Sequence, residues 1–319
     1  MKKLIAIIVF GLMLTNLAHA RESENKKNID IADAAKLMEA TMKAEFSDDY
    51  NDYQEAYKIA LPMAEQGDSA AQYILSTMFA RGKGVPEDSK QALYWAKKAA
   101  EQGAKPAQRY VGSAYAIGHN VPKDSQQALY WFTKSAEQED PLSQLYVGSV
   151  YFKGDDVPQD SEKALYWLTK AAKNDNPSAQ LILGTSYASG KLGIEDSAQS
   201  LYWLTKAAQN GDLNAQFLMG KKYDIGIGVS RNYKQAYDWF KMAAIQGHAE
   251  SQAYCGSYYA YVLHDNLKAY MWLDLAVAGG YSQGIGKRYD IAKKMTSTEI
   301  SEAQKLASNC KKSNYKNCE

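Results

Sequence analysis

The side chains that most often carry catalysis are scarce in this chain and stand at unrelated positions. Three histidines follow residue 20, at His119, His248 and His264; no H-x-x-x-H or C-x-x-C spacing occurs. A zinc site or a nucleophile activated by histidine therefore has no support in the sequence. Because no acid, base and nucleophile are grouped, we expect a protein that is not an enzyme, binds no metal and needs no cofactor.

The chain has an odd number of cysteines, Cys255, Cys310 and Cys318. Cys310 and Cys318 flank the short segment KKSNYKN, and we expect them to form a disulfide in an oxidising compartment. Cys255 occupies an apolar column of a repeated segment, where a buried thiol acts as a small hydrophobic side chain. Structural roles are therefore expected for these three residues.

The first twenty residues predict export. Lys2 and Lys3 precede an apolar run from Leu4 to Leu14, and the small residues at 18–20 form a cleavage site. We expect a signal peptide that is cleaved after Ala20 and a periplasmic or secreted protein. The run is too short for permanent membrane insertion. Removing the two lysines from 37 basic residues leaves 35 against 36 acidic ones, a balance that argues against nucleic acid as a partner.

Near-identical sequence segments recur along the chain, and they form the framework that positions any functional side chain. QALYWAKKAAEQ begins at Gln91, QALYWFTKSAEQ at Gln127 and KALYWLTKAAKN at Lys163. Small residues three positions before and four after each tryptophan share its helical face. This pattern predicts that six tryptophans form the structural core: Trp95, Trp131, Trp167, Trp203, Trp239 and Trp272.

Each repeat predicts two helices. The first carries small residues that allow close packing, as in AQRYVGSAYAIG from Ala107 to Gly118. The second begins at an Asp or Asn N-cap, carries the tryptophan and ends in most repeats at a glycine, which can adopt the left-handed cap conformation. Two repeats have Glu139 and Asp175 there, followed by Pro141 and Pro177. We expect these two helices to stop by another means.

The alternating phrases AQxxLGxxYxxGxGVxxD and KAxxWxxKAAxxG resemble the Sel-one-like repeat, a relative of the tetratricopeptide repeat, over about residues 50 to 307. The resemblance implies an all-α fold, a right-handed superhelical α-solenoid of helix-turn-helix repeats. After the signal peptide at 1–20, we expect a segment with one amphipathic helix at 21–49, an array of a cap helix and six repeats at 50–280, C-terminal capping helices at 281–308 and a tail at 309–319.

For function, the resemblance implies a non-catalytic exported scaffold, a monomer that binds another protein. Bacterial members of the family also neutralise delivered toxins, so a periplasmic immunity protein is an alternative. A cysteine-rich branch has been linked to penicillin binding, but this chain lacks its paired cysteines. Because its S-x-x-K matches at Ser23, Ser308 and Ser313 lie in the tails, a cell-wall-active or β-lactamase-like enzyme is the weakest alternative.

Two columns of residues that the repeat does not need are candidates for binding the partner. The first is a Tyr/Lys ladder, in which each tyrosine either covers the lysine stem and packs on the adjacent repeat or offers a partner a large contact area. The ladder comprises Tyr94, Tyr130, Tyr166 and Tyr202 with Lys98, Lys134, Lys170 and Lys206. The second is a small polar column on the first helices, which forms the concave face in related repeats: Thr77, Ser113, Ser149, Thr185 and Lys221.

Overall fold

The computed structural model describes residues 31–315 and Cys318, and all regular secondary structure in these residues is helical. The helices are α1 (Ile31–Ser47), α2 (Tyr50–Glu65), α3 (Ser69–Arg81), α4 (Ser89–Glu101), α5 (Lys105–Ile117), α6 (Ser125–Glu137), α7 (Pro141–Lys153), α8 (Ser161–Lys173), α9 (Pro177–Ser189), α10 (Ser197–Gln209), α11 (Leu213–Ile225), α12 (Tyr233–Ala244), α13 (Ala249–Tyr261), α14 (Asn266–Ala278), α15 (Gly284–Ala292) and α16 (Ser297–Lys312). The predicted all-α class of paired helices is confirmed. The predicted signal peptide lies outside the described residues.

The described residues form two compact units, which divide between residues 159 and 160. The first unit contains α1 to α7 and the second α8 to α16. Within each unit successive helices pack against one another, except that α16 packs on α14 beside α15. Within the units, α3 pairs with α4, α5 with α6, α9 with α10, α11 with α12 and α13 with α14. The first helix of each pair carries the glycine column and the second helix carries the tryptophan.

The second helices begin and end largely as predicted. Asp88 and Asp124 each accept hydrogen bonds from two backbone N–H groups in the first turn of the following helix. The expectation that the helices before Glu139 and Asp175 stop by another means is wrong. Both residues adopt the left-handed conformation, with φ of 62° and 56°, and their N–H groups donate to the carbonyls of residues 136 and 172 just as Gly103 donates to Ala100. Two backbone hydrogen bonds close the turn, so glycine is favourable there without being required.

The two helices of a pair approach closely because glycine leaves room for the residue that follows the tryptophan. A Cβ atom on Gly220 would lie 2.5 Å from the ring of Phe240, and one on Gly184 would lie 2.7 Å from the side chain of Leu204. Carbon atoms in contact prefer a separation of about 3.5 to 4.0 Å. The side chain after the tryptophan therefore fills a notch that any larger residue would close.

The six tryptophans are buried to different degrees. Four are buried, at 0 to 9% exposure, but Trp131 and Trp239 are only half-buried. Trp131 packs on a cluster that includes Leu93 of the preceding second helix and Val111 of the first helix of its own pair. This indole therefore contacts both its own pair and the preceding repeat.

A column of glutamines, which the sequence interpretation missed, ties the repeats together. Each is buried, and its Nε2 atom donates over 2.9 to 3.2 Å to a carbonyl near the end of the preceding second helix. Gln108 also accepts a hydrogen bond of 2.8 Å from Gln138. A buried amide is favourable only when it is paired, which accounts for the same residue at every repeat. The column is Gln72, Gln108, Gln144, Gln180, Gln216 and Gln252.

The C-terminal region closes the core of the second unit. Cys310 and Cys318 form a disulfide with their Cα atoms 4.7 Å apart, and the thiol of Cys255 is buried in the same apolar cluster. Thr296 and Glu299 exchange the two hydrogen bonds of a capping box at the start of α16. Within residues 31–315, no helix combines the length and apolar character needed to cross a membrane.

Candidate functional site

A pocket of about 540 Å³ opens in the first unit, between the first helices α3, α5 and α7 and the second helix α6. Its walls include Tyr73, Arg109, Tyr110, Phe132, Leu142 and Tyr146. Concave sites of roughly 300 to 1,000 Å³ with mainly apolar walls are the usual form of binding pockets in proteins. This pocket is therefore the leading candidate site in the first unit.

An aromatic pair forms one wall of the pocket. Phe132 fills the notch opposite Gly112, where a Cβ would lie 3.0 Å from its ring, and its other side stacks on Tyr146 with centroids 3.9 Å apart. Burial raises the pKa of Tyr73, Tyr110 and Tyr146, so all three phenols are neutral at ordinary pH. The wall therefore offers apolar ring surface with hydroxyl groups and no negative charge.

Arg109 supplies the only charge among the lining residues. Its guanidinium lies 3.3 and 3.4 Å from the two carboxylate oxygens of Asp140, whose side chain is buried at the start of α7. Ser143 also donates to Asp140 over 3.4 Å. Because the buried carboxylate is paired, the pocket presents almost no net charge, and it suits an apolar side chain.

The structure brings two residues of the predicted concave face into this pocket, Ser113 and Ser149. The hydroxyl of Thr77, in the same column, donates to the carbonyl of Ile74 over 2.8 Å, and that of Thr185 donates to Leu181 over 2.9 Å. Both threonine hydroxyls are therefore hydrogen-bonded within their own helices. Lys221 lies in the second unit, where its Nζ atom donates to the hydroxyl of Tyr254.

The tyrosines of the predicted ladder are half-exposed, at 49 to 53%. Each ring packs edge-on against the tryptophan next to it, with centroids 4.8 to 5.1 Å apart. Lys98, Lys134 and Lys170 lie over the tyrosine rings at 4.8 to 5.9 Å, within the range of a cation–π contact. Tyr94 and Tyr130 belong to the first unit, and Tyr166 and Tyr202 to the second. The ladder tyrosines of each unit are thus accessible to a partner.

Part of the pocket was visible in the sequence and part was not. Ser113 and Ser149 followed from the repeat register, whereas Phe132 and Tyr146 did not stand out as site residues. The signal that marks them is departure from the repeat: Phe132 replaces the Ala or Leu that follows the tryptophan in four other copies. Among the described residues, no three His, Cys, Asp or Glu side chains group in a way that could hold a metal ion.

The chain is similar to repeat proteins of known structure. The model of the Sel1 repeat matches residues 69–103, 105–140, 141–176, 177–212, 213–248 and 249–281. A Sel1 repeat protein from Oxalobacter formigenes is 34% identical over 79% of this chain and 74% of that chain, with a TM-score of 0.66. No curated protein matches the chain.

Two more distant structures share the repeat. One is c5321, a protective antigen of uropathogenic Escherichia coli strains that displays an SLR fold; it is 24% identical over 89% of this chain and 78% of that chain, with a TM-score of 0.44. The other is the immunity protein Pa5087 from Pseudomonas aeruginosa, 21% identical over 68% of this chain and 81% of that chain, with a TM-score of 0.37. Likenesses at this level carry no information on what this chain binds.

Proposed function

This chain belongs to the Sel1 repeat family, and we propose that it is a non-catalytic, exported scaffold that binds another protein through the pocket of its first unit. The observation that carries the proposal is the stacked pair of Phe132 and Tyr146 in the wall of a pocket of about 540 Å³. Protein interfaces concentrate their binding free energy where a large apolar side chain enters such a cavity.

The surroundings of the pocket favour a protein segment as the occupant. Leu142 is 54% exposed at the rim, so apolar surface continues outside the cavity. Arg109 is part-exposed beside it and has N–H groups that its contact with Asp140 does not use. A segment with an apolar anchor and a neighbouring carbonyl or carboxylate would satisfy both features.

Export rests on residues 1–20 and belongs to the same proposal. We expect the protein to be recovered from the periplasm or the medium with Arg21 as its first residue, because Ala20 precedes the cleavage site. N-terminal sequencing of the fractionated protein tests this. A chain that retains Met1 and stays with the cytoplasm or the membrane would contradict it.

Site-specific photo-crosslinking tests the pocket directly. We expect a photo-crosslinking phenylalanine derivative at Leu142 to capture a discrete protein in cells, and the same derivative at Tyr50 to capture none. Tyr50 is the matched control because it is 50% exposed in the first turn of a helix of the same unit, away from the pocket. The additional change Ser113→Glu should abolish capture at 142, since it places a charge in a desolvated contact.

Three outcomes would contradict the pocket as the site. They are equal capture at positions 50 and 142, capture at 142 that Ser113→Glu leaves unchanged, and loss of capture on Tyr130→Ser instead. The last result would move the site to the Tyr/Lys ladder. Circular dichroism of each variant checks that the fold is intact.

A further inference from the structure

The aromatic pair of the first unit recurs in the second unit, three repeats further along the chain. Phe240 fills the notch opposite Gly220 and stacks on Tyr254 with centroids 4.3 Å apart and an interplanar angle of 13°. Phe240 and Tyr254 hold the repeat positions of Phe132 and Tyr146. The chain therefore contains the same stacked Phe–Tyr pair in two repeats.

Two lysines stand beside the second pair, whereas Arg109, the charged residue that lines the first pocket, is paired with Asp140. Lys221 stands at the repeat position of Ser113. Its Nζ atom donates to the Tyr254 hydroxyl over 2.7 Å and lies 5.1 Å from the centroid of that ring. Lys287 of α15 lies 5.6 Å from the same centroid and donates to Ser257 over 3.2 Å. Two ammonium groups thus converge on one phenol.

These ammonium groups have no counter-ion close by. Among the described residues, neither Lys221 nor Lys287 has a carboxylate oxygen within 4.0 Å. The hydrogen bond from Lys221 to Tyr254 raises the pKa of the lysine, and the charges of Glu250 and Asp224 act in the same direction from further away. Lys221 is therefore fully charged at neutral pH and open to an anion.

The rest of the site is apolar. Phe217 lies 6.0 Å from Tyr254 and 4.9 Å from the ring of His248. Burial lowers the pKa of His248, and its Nδ1 atom accepts a hydrogen bond from the backbone of Ser251, so this imidazole adds no charge at neutral pH. An anionic group held by the lysines would have aromatic surface directly beside it.

We propose that Lys221, Lys287 and the Phe240–Tyr254 pair form a second binding site, which takes an acidic segment of a partner protein. A carboxylate lies between the two ammonium groups, the Tyr254 hydroxyl donates to it while accepting from Lys221, and an adjacent apolar side chain packs on the rings. Charge complementarity selects the occupant, because two neighbouring ammonium groups attract an acidic segment and repel a basic one. The inference rests on the proposed function in that the ligand is a protein.

A synthetic peptide tests the site. The probe is a fluorescein-labelled peptide of sequence DELDELDEL, and its amide counterpart NQLNQLNQL is the matched control ligand. We expect the wild-type chain to bind the acidic peptide at least about tenfold more tightly than the amide peptide at low salt, since each 1.4 kcal/mol is a factor of ten. Lys221→Met with Lys287→Met should remove that difference, because methionine keeps the apolar stem and loses the charge.

Lys293→Met is the control variant of the chain. Lys293 is an exposed lysine at the end of the same helix α15, lies over an aromatic ring and is paired with Asp290. The Lys293→Met change should leave the affinity for the acidic peptide unchanged. Equal binding of the two peptides, or an equal loss in Lys293→Met, overturns the proposal. Displacement of the acidic peptide by millimolar inorganic phosphate but not by acetate also overturns it, since the site would then prefer phosphate to carboxylate.

Failure of this site and failure of the first pocket give different results. If the peptide binds through the lysines while no protein is captured at position 142, the first-unit pocket is refuted and the second site stands. If capture at 142 succeeds and the peptide does not distinguish charge, only the second site is refuted. Should the double variant lose its helical signal, Lys287→Met alone serves, because this lysine is exposed.

Discussion

Replacing Gly220 with alanine tests the notch that holds Phe240, the counterpart of the notch that Gly112 provides for Phe132. The new Cβ atom would lie 2.5 Å from two ring carbons of Phe240, whereas carbon contacts prefer about 3.5 to 4.0 Å, so the ring must move by roughly 1 Å. Overpacking of this kind costs about 1 to 3 kcal/mol. Alanine in a helix is more favourable than glycine by about 1 kcal/mol. We expect a net destabilisation of about 0 to 2 kcal/mol.

Gly286→Ala is the control that isolates the packing cost. Gly286 lies in helix α15 of the same unit, and nothing lies within 4 Å of a Cβ built on it. This change should stabilise the protein by about 0.5 to 1 kcal/mol, because only the helix preference acts. The difference between the two variants therefore measures the steric cost at the notch. Urea unfolding followed by circular dichroism and tryptophan fluorescence gives both values.

The first repeat of this chain suggests a second change that compensates for a larger residue at the notch. In the first repeat the notch position holds Ser76 and the residue after the tryptophan is Ala96, so a larger notch residue coexists with a smaller filler. The double change Gly220→Ser with Phe240→Ala reproduces that pair, and it should cost less than the sum of the single changes by at least about 1 kcal/mol. If Gly220→Ala were as stable as Gly286→Ala, or if the two changes were additive, the notch would not control helix packing.

Two further predictions concern the ends of helices and of the chain. Gly103→Ala should destabilise the first unit by about 1 kcal/mol, because Gly103 has a positive φ that a side chain disfavours. Glu139 has a positive φ at the same repeat position, so Glu139→Gly should leave the stability of this unit unchanged or slightly higher. Equal effects of the two changes in urea unfolding would contradict this. Reduction of the disulfide between Cys310 and Cys318 should destabilise the second unit by about 2 to 3 kcal/mol, which is the cost for a loop of this length. Thiol labelling of the unreduced, unfolded chain should modify Cys255 alone. Labelling of all three cysteines would refute the bridge.

The sequence predicts the helices well because their ends are chemically marked. An Asp N-cap and a left-handed residue at the end act within one turn of backbone, so spacing alone locates them. Glu139 and Asp175 show where this reasoning stops. The absence of glycine suggested a different turn, but the backbone hydrogen bonds formed the same turn with a side chain present.

Packing between helices was harder to predict because a repeat does not say which neighbour a side chain contacts. The tryptophan column has the right face for its own pair and for the preceding repeat alike, and only the structure shows that Trp131 contacts both, through Val111 and Leu93. The glutamine column was equally regular and was missed because a polar residue is usually assigned to the surface. Glutamine stands at this position in all six repeats, and this invariance was the available signal of burial, because a surface position would vary.

The candidate sites follow the opposite rule, because they lie where the copies differ. A residue that is the same in every repeat is needed to stack one repeat on the next, so it cannot distinguish one binding surface from another. Phe132 and Phe240 depart from the Ala or Leu of the other copies, and both create a ring wall on the face of the first helices. Between these two walls, Ser113 is exchanged for Lys221 at one repeat position. The helical scaffold is thus the same around both aromatic pairs, while the side chains beside them differ.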